Sequence, residues 1–324
     1  MTRTLGRSGI EVSAIGMGCW AIGGPAYRGE TPVGWGKIDD AESERALRTA
    51  KDSGITLFDT ADVYGAGHSE QLVGKSFSKV RDQVVIATKF ANVFDEESKQ
   101  ITGSNAAPEY IRSACEASLE RLQTDYIDLY QFHDGGYPIE QADEVIETLE
   151  KLVDAGKIRS YGWSTDDPDR ARKFSEGGHC TAAQFQLNVL RDSPQMVRVC
   201  EEAGLAGLNR GPLAMGLLTG KYTATSTLPE DDVRGPNAPP WMRYFHDGKP
   251  SQEFLDRLEA VREILTSNGR TLAQGALAWL LARSAVTLPI PGFKTVEQVK
   301  ENSGALEHGP LGPDEMGRIN ELLQ

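Results

Sequence analysis

Four residues carry the most chemistry in this chain: Asp59, Lys89 and His133 at the ends of three apolar runs, and Tyr64 in the loop just past the first. Asp59 closes the run Ile55 to Phe58, and Tyr64 follows five residues later. Lys89 ends "VVIATK" and His133 ends "YIDLYQFH". A carboxylate, a phenol, an amine and an imidazole suit proton transfer to a reduced carbonyl. A hydride that reaches a carbonyl carbon leaves an alkoxide in need of a proton. Tyrosine, with an ordinary pKa of about 10, is a poor acid at neutral pH. The Lys89 ammonium is expected to favour the phenolate and lower that value. Asp59 would hold Lys89 charged and in position. His133 would donate a hydrogen bond to the carbonyl oxygen. Taken singly, each residue has an ordinary reading. Asp59 can cap a turn, Tyr64 can be a loop aromatic, Lys89 can snorkel, and His133 can be a hydrogen-bonded structural residue. Four such accidents at neighbouring strand ends would be needed to explain them together.

The elements that must position them follow a regular alternation. Eight short apolar runs cover residues 13–18, 56–60, 84–89, 126–133, 158–164, 182–188, 206–211 and 286–292. Helical patterns lie between them, such as residues 39–54 and 107–123. In the latter, Ile111, Cys115, Leu119 and Leu122 recur at helical spacing. Asp39 or Asp40 can cap the first helix, and Gly54 can end it; "GHSEQLVG" starts the next, with His68 or Ser69 as its expected cap. Strand–helix alternation favours a parallel sheet with covering helices. Eight units in 324 residues fit an α/β fold of the (β/α)8 (TIM) barrel type, in one domain spanning 1–324. A doubly wound open sheet is the rival. "TLGRSGIEVS" ahead of the first unit reads as an N-terminal β-hairpin capping the barrel bottom. The longest interruption, residues 222–250, follows strand seven and is rich in Pro and Gly. A loop there lies on the catalytic face. Its "PPWMRYF" places three aromatics in five residues, a substrate lid around Trp241 or a packing cluster on the rim.

Composition narrows the function classes. The net charge is −13, with no basic block, which argues against nucleic acid. The four cysteines are scattered and form no CxxC pair, so they read as reduced thiols and not as a metal site. No signal-like or membrane-length apolar run is present, which makes cytoplasmic and soluble the expectation. Oligomeric state is left open.

Several local motifs fail on context. "GMGCWA" (16–21) fits a dinucleotide glycine fingerprint, but loop-like sequence follows where a helix is required. "GKS" (74–76) lacks the upstream glycine of a phosphate loop, because Ser69 stands there. No tyrosine has lysine four residues on, and "GHC" (178–180) offers only two metal ligands.

"FDTADVYGAGHSEQLVGK", "IATK", "IDLYQFH" and "GPLAMGLLTGKY" together resemble the aldo-keto reductase superfamily, from about residue 4 to residue 306. The bacterial branch with "NRGPLAMGLLTGKY" and "IPGFKTVEQVKEN" segments is the most similar. The resemblance implies a (β/α)8 barrel that binds NADP(H), with NAD(H) possible, and transfers the pro-R hydrogen to or from a small aldehyde, ketone or sugar. It puts the tetrad at Asp59, Tyr64, Lys89 and His133. It puts Gly18, Cys19 and Trp20 beside cofactor and substrate, with Trp20 as a pocket wall. The amide contacts fall on Ser164 and Gln184, and Thr165 stands where asparagine is common. After strand seven the cofactor segment comprises Arg210, Gly211, Pro212, Leu213, Gly216, Leu218, Gly220 and Lys221. Arg210 replaces an aromatic and can stack on the nicotinamide or contact phosphate. After strand eight, Gly292, Phe293, Lys294 and Thr295 would meet the 2′-phosphate and ribose at a helix start. Gln298 and Asn302 would lie at the adenine end, with Gln298 where some members have arginine.

Two other function classes stay open at this level. One is an NADPH-binding regulatory subunit that does not turn over. The other is a lyase or isomerase using Lys89 as a Schiff base.

Overall fold

The computed structural model describes residues 1–323. Its main sheet has eight parallel strands: β1 (Met17–Gly18), β2 (Leu57–Asp59), β3 (Val85–Phe90), β4 (Ile127–Phe132), β5 (Ile158–Ser164), β6 (Cys180–Gln186), β7 (Ala206–Arg210) and β8 (Thr287–Pro289). Their hydrogen-bonded order is the chain order. Gly18 bridges Gly292 in parallel, and Gly16 N–H donates to Pro289 O at 3.0 Å, so β1 meets β8 and the sheet closes. This is the (β/α)8 barrel that the alternation implies, and it excludes the open sheet. Every apolar run read from the sequence overlaps one of the eight strands.

Ten helices follow in order: α1 (Asp40–Asp52), α2 (His68–Phe77), α3 (Pro108–Leu122), α4 (Ala142–Asp154), α5 (Pro168–Phe174), α6 (Pro194–Ala203), α7 (Gln252–Leu265), α8 (Leu272–Arg283), α9 (Val296–His308) and α10 (Pro313–Leu323). Asp39 caps α1 through Glu42 N–H, as a side-chain oxygen at that position should. In α3 the residues at helical spacing, Ile111, Cys115, Leu119 and Leu122, are buried against the barrel. The start of α2 differs from expectation. Gly67, at φ +91°, is its N-cap, and neither His68 nor Ser69 caps it. Ser69 Oγ donates instead to Cys19 O at 2.8 Å, so it fastens α2 to the loop after β1.

Two cores result from the two-residue period of the strands. The larger fills the space between sheet and helices. The smaller fills the barrel and includes Leu57, Val85, Ala87, Leu129, Ala182, Leu208, Leu288 and Ile290. Leu5, Ile10 and Val12 join the smaller core from the N-terminal hairpin, where Thr2–Thr4 pairs with Glu11–Ser13. That hairpin closes the bottom of the barrel. The top is left for residues two positions further along each strand.

The long loop after β7 is more ordered than its composition suggests. A short hairpin pairs Phe245–His246 with Lys249–Pro250. Asp232 bridges Trp35 in the loop before α1, and Val233 N–H donates to Gly34 O at 3.1 Å. Arg234 pairs with Asp232 at 2.7 Å, donates to Met215 O and Tyr222 OH, and lies 4.6 Å from the Trp35 ring centre. Buried charge is tolerated when it is paired and fully hydrogen-bonded, as here.

Candidate active site

Strand periodicity assembles the site. From the interior residues Leu57, Ala87, Leu129, Ala182 and Leu208, the next inward positions are Asp59, Lys89, Gln131, Gln184 and Arg210. One further step along β4 reaches His133. Tyr64 comes from the turn after β2, where Gly65 has φ +60°. A Cβ on Gly65 would sit 1.9 Å from Gly23 O. Only glycine permits this contact of the first two loops, which brings the Trp20 and Tyr64 rings to 6.0 Å at 29°.

Lys89 is the centre of the arrangement. Its Nζ donates to Asp59 Oδ1 at 2.5 Å, Thr60 O at 2.8 Å and Tyr64 OH at 3.1 Å. An ammonium has three N–H donors, and all three are used. Lys89 is fully buried. Burial alone would lower its pKa, but Asp59 and Tyr64 overcome that and hold it above the ordinary lysine value. A charged, fully engaged amine is not a nucleophile, which argues against the Schiff-base reading.

Tyr64 corrects the electrostatic expectation. Burial pushes its phenol above the ordinary value, the Lys89 ammonium pulls it back only in part, and the Asp59 charge pushes it further up. Tyr64 is therefore a protonated phenol at neutral pH. His133 lies at a 6.0 Å ring separation from Tyr64, edge-on at 86°. Burial drives its pKa well down, and the charges of Lys89 and Arg210 add to this, so the imidazole is neutral. Its Nδ1 is buried without a partner among the described residues.

Gln131 was not singled out from the sequence, where it reads as one polar residue inside an apolar run. It donates to Asp59 Oδ2 at 2.9 Å. Gln184 donates to the same oxygen at 2.8 Å and to Gln131 Oε1 at 3.2 Å, so both N–H donors of its amide are engaged within the protein. The signal available was positional: Gln131 is two residues before His133, the residue just past the end of β4, and shares its face.

The remaining candidates fall into several groups. Ser164 and Thr165 are buried at the end of β5, with Thr165 N–H donating to Gln184 O at 2.9 Å. Arg210 pairs with Asp166 at 2.5 Å, a partner that sequence reading missed. Gly211, Pro212 and Leu213 lead from β7 into a 3-10 segment, Ala214–Thr219, that contains Gly216 and Leu218 and ends at Gly220; Gly211, Gly216 and Gly220 have positive φ. The Cys19 thiol and the Phe293 ring do not face the mouth. They are buried in the core between sheet and helices because alternation turns them outward from the barrel. Gly18 meets Gly292 through backbone, and Asn302 donates to Gly292 O at 3.3 Å. Thr295 caps α9 through Gln298 N–H. Lys294 Nζ donates to Trp35 O at 2.7 Å, and burial lowers its pKa; the Asp232 carboxylate opposes this, and the Arg234 and Lys221 charges add to it.

The aromatic cluster "PPWMRYF" divides. Met242, Tyr244 and Phe245 are buried, and Tyr244 OH receives hydrogen bonds from Gln186 and Asn188. Trp241 is 52% exposed, with its ring 6.2 Å from Trp20. No group of three or more metal-ligating side chains, and no helix long and apolar enough to cross a membrane, occurs among the described residues.

Known proteins are similar to this chain in sequence and fold. The chain is 33% identical over 318 residues to "Aldo-keto reductase yakc [NADP(+)]" of Schizosaccharomyces pombe, covering 94% of this chain and 86% of that one. The glycerol dehydrogenase AKR11B4 of Gluconobacter oxydans superposes with a TM-score of 0.83 at 30% identity, covering 99% of this chain and 94% of that one. An aldo/keto reductase of Klebsiella pneumoniae, solved with NADP and acetate, superposes with a TM-score of 0.69 at 27% identity, covering 99% and 95%. The aldo/keto reductase family description matches residues 14–324, and with the barrel and its mouth so arranged, the chain belongs to that family.

Proposed function

We propose that this chain is an NADP(H)-dependent oxidoreductase that moves hydride between nicotinamide C4 and the carbonyl carbon of a small aldehyde, ketone or sugar. The observation that carries this reading is Lys89 Nζ bridging the Asp59 carboxylate and the Tyr64 hydroxyl. The donor set fits a dinucleotide phosphate. In a chain of net charge −13, the charges of Arg234 and Lys221 both act on Lys294, opposed by the Asp232 carboxylate, so cations gather around this residue. Relatives named for NADP(+), or solved with NADP, support the same cofactor.

When bound, the nicotinamide supplies or accepts the hydride. The protein's part is proton transfer and orientation. Tyr64, protonated because it is buried, gives its proton to the oxygen of the carbonyl as charge develops there. The Lys89 ammonium stabilises the resulting phenolate through the existing hydrogen bond, and Asp59 keeps that ammonium in place. Neutral His133 can donate one N–H to the same carbonyl oxygen. Trp20 and Trp241 form aromatic walls above Tyr64, suited to the flat or apolar face of a substrate. Oxidation uses the same groups in reverse.

Tyr64→Phe tests this. Reduction of a small aldehyde should fall by roughly 10²–10⁴-fold, the usual value of a positioned acid. NADPH affinity should stay within about threefold, because the phenol acts on the substrate. Turnover like the wild type would remove Tyr64 from the acid role.

A further inference from the structure

The first turn of α9 holds an anion that belongs to the chain itself. Glu42, in the first turn of α1, accepts the Val296 N–H at 2.9 Å through Oε1. Its Oε2 accepts from Arg45 Nε at 3.1 Å and Nη2 at 2.6 Å. The Val296 N–H, first among causes, and Arg45 hold the Glu42 carboxyl below its ordinary pKa, so it is a carboxylate at neutral pH. Val296 is the first residue of α9, where an unpaired N–H and the helix dipole favour negative charge.

Other donors of this turn are also engaged within the protein. Lys294 N–H donates to Gln298 Oε1 at 2.6 Å. Gln298 N–H donates to Thr295 Oγ1 at 3.3 Å. Lys294 Nζ donates to the uncharged Trp35 O, so the ammonium has no carboxylate hydrogen-bonded to it. A cation without a hydrogen-bonded counter-ion and a helix start already carrying a carboxylate therefore lie two residues apart along the chain.

We propose that Glu42 sets the choice between NADP(H) and NAD(H), an inference that rests on the function proposed above. Its carboxylate sits where the 2′-phosphate would be received. A phosphate must displace it or bind against like charge. The 2′-hydroxyl of NAD(H) is a hydrogen-bond donor, so Glu42 can accept from it and remain in place. Carboxylates read the ribose 2′-hydroxyl in the same chemical sense in dinucleotide sites of unrelated folds. Arg45 is already hydrogen-bonded to the other oxygen and can keep the carboxylate when it leaves Val296.

The experiment measures equilibrium binding to the full chain by calorimetry, with NADP⁺, NAD⁺, 2′,5′-ADP and 5′-ADP as probes. Glu42→Gln keeps an acceptor and a similar shape but removes the charge. It should tighten NADP⁺ and 2′,5′-ADP by about tenfold or more, with NAD⁺ and 5′-ADP unchanged or weaker. Lys294→Ala in the same assay should weaken the two 2′-phosphorylated probes by about tenfold and leave the other two within about twofold. A Glu42→Gln variant whose NADP⁺ to NAD⁺ affinity ratio stays within about twofold of the wild type overturns the proposal. So does equal tightening of all four probes. A purely structural role for Glu42 would change thermal stability but not that ratio. Failure of the wild type to bind either dinucleotide would instead overturn the functional reading itself, a distinct result.

Discussion

Gln131 donates its side-chain amide to Asp59 Oδ2, 2.9 Å away, while the other oxygen of that carboxylate holds Lys89. The barrel thus fixes both ends of the acid. Its charge reaches Tyr64 through Lys89 from a held position. Burying an ion pair of this kind is stabilising only when the remaining hydrogen-bonding capacity is filled.

Gln131→Met should show what that anchoring does. The substitution keeps volume and removes the donor, leaving Gln184 alone on Oδ2. Hydrogen bonds to charged groups contribute about 1.5–3 kcal/mol. If most of this is felt at Lys89, kcat for aldehyde reduction falls about tenfold or more while KM stays within about threefold. Because the Asp59 charge raises the Tyr64 pKa, a displaced Asp59 should also move the basic limb of the rate profile to lower pH. An unchanged kcat and profile would reduce Gln131 to packing.

Burial also fixes the pH dependence. Reduction needs the protonated Tyr64 phenol, whose pKa is raised. The active form is therefore complete at low and neutral pH and is lost only as pH rises past about 10, the ordinary phenol value. His133 is held neutral, its pKa well below the ordinary value, so it should add no inflection between about pH 6 and 8. Oxidation, which needs Tyr64 to accept a proton, should rise with pH over the alkaline range. A kcat profile for reduction that bends near pH 6.5 would show that His133 titrates after all.

Trp241 offers a separate test of the substrate wall. It is half exposed, so Trp241→Ala should change thermal stability little. Loss of its face beside Trp20 should raise KM for aromatic aldehydes several-fold, since aromatic pairs contribute about 0.5–1.5 kcal/mol beyond their area. KM for a two- or three-carbon aldehyde should hardly move. Equal effects on both substrate classes would place Trp241 outside the pocket.

The barrel was legible because one signal recurs eight times and depends only on local alternation. Asp59, Lys89 and His133 were legible because each stands where an apolar run stops, and Tyr64 because it follows the first of these stops within five residues. What escaped was pairwise and long-range. Asp166 and Arg210 are 44 residues apart, and Glu42 and Val296 are 254 apart, and nothing local marks either pair. Gln131 escaped for the opposite reason, since it lies inside a run whose neighbours are all buried. The sign of the Tyr64 shift was misjudged because a charge partner can be read from a sequence, whereas depth of burial cannot. Gly67 took the cap expected of His68 or Ser69 because Ser69 had a tertiary partner in Cys19 O.

The hairpin beneath the barrel has a bearing on how the chain matures. Arg7 donates to Cys180 O, 173 residues later, and Arg3 to Thr287 Oγ1, 284 residues later. At about 5–20 residues per second of synthesis, this segment waits roughly ten seconds to a minute for those partners. During that interval Leu5, Ile10 and Val12 have nothing to cover. The hairpin is thus made well before the strands it closes, and its apolar side chains stay exposed until those strands arrive.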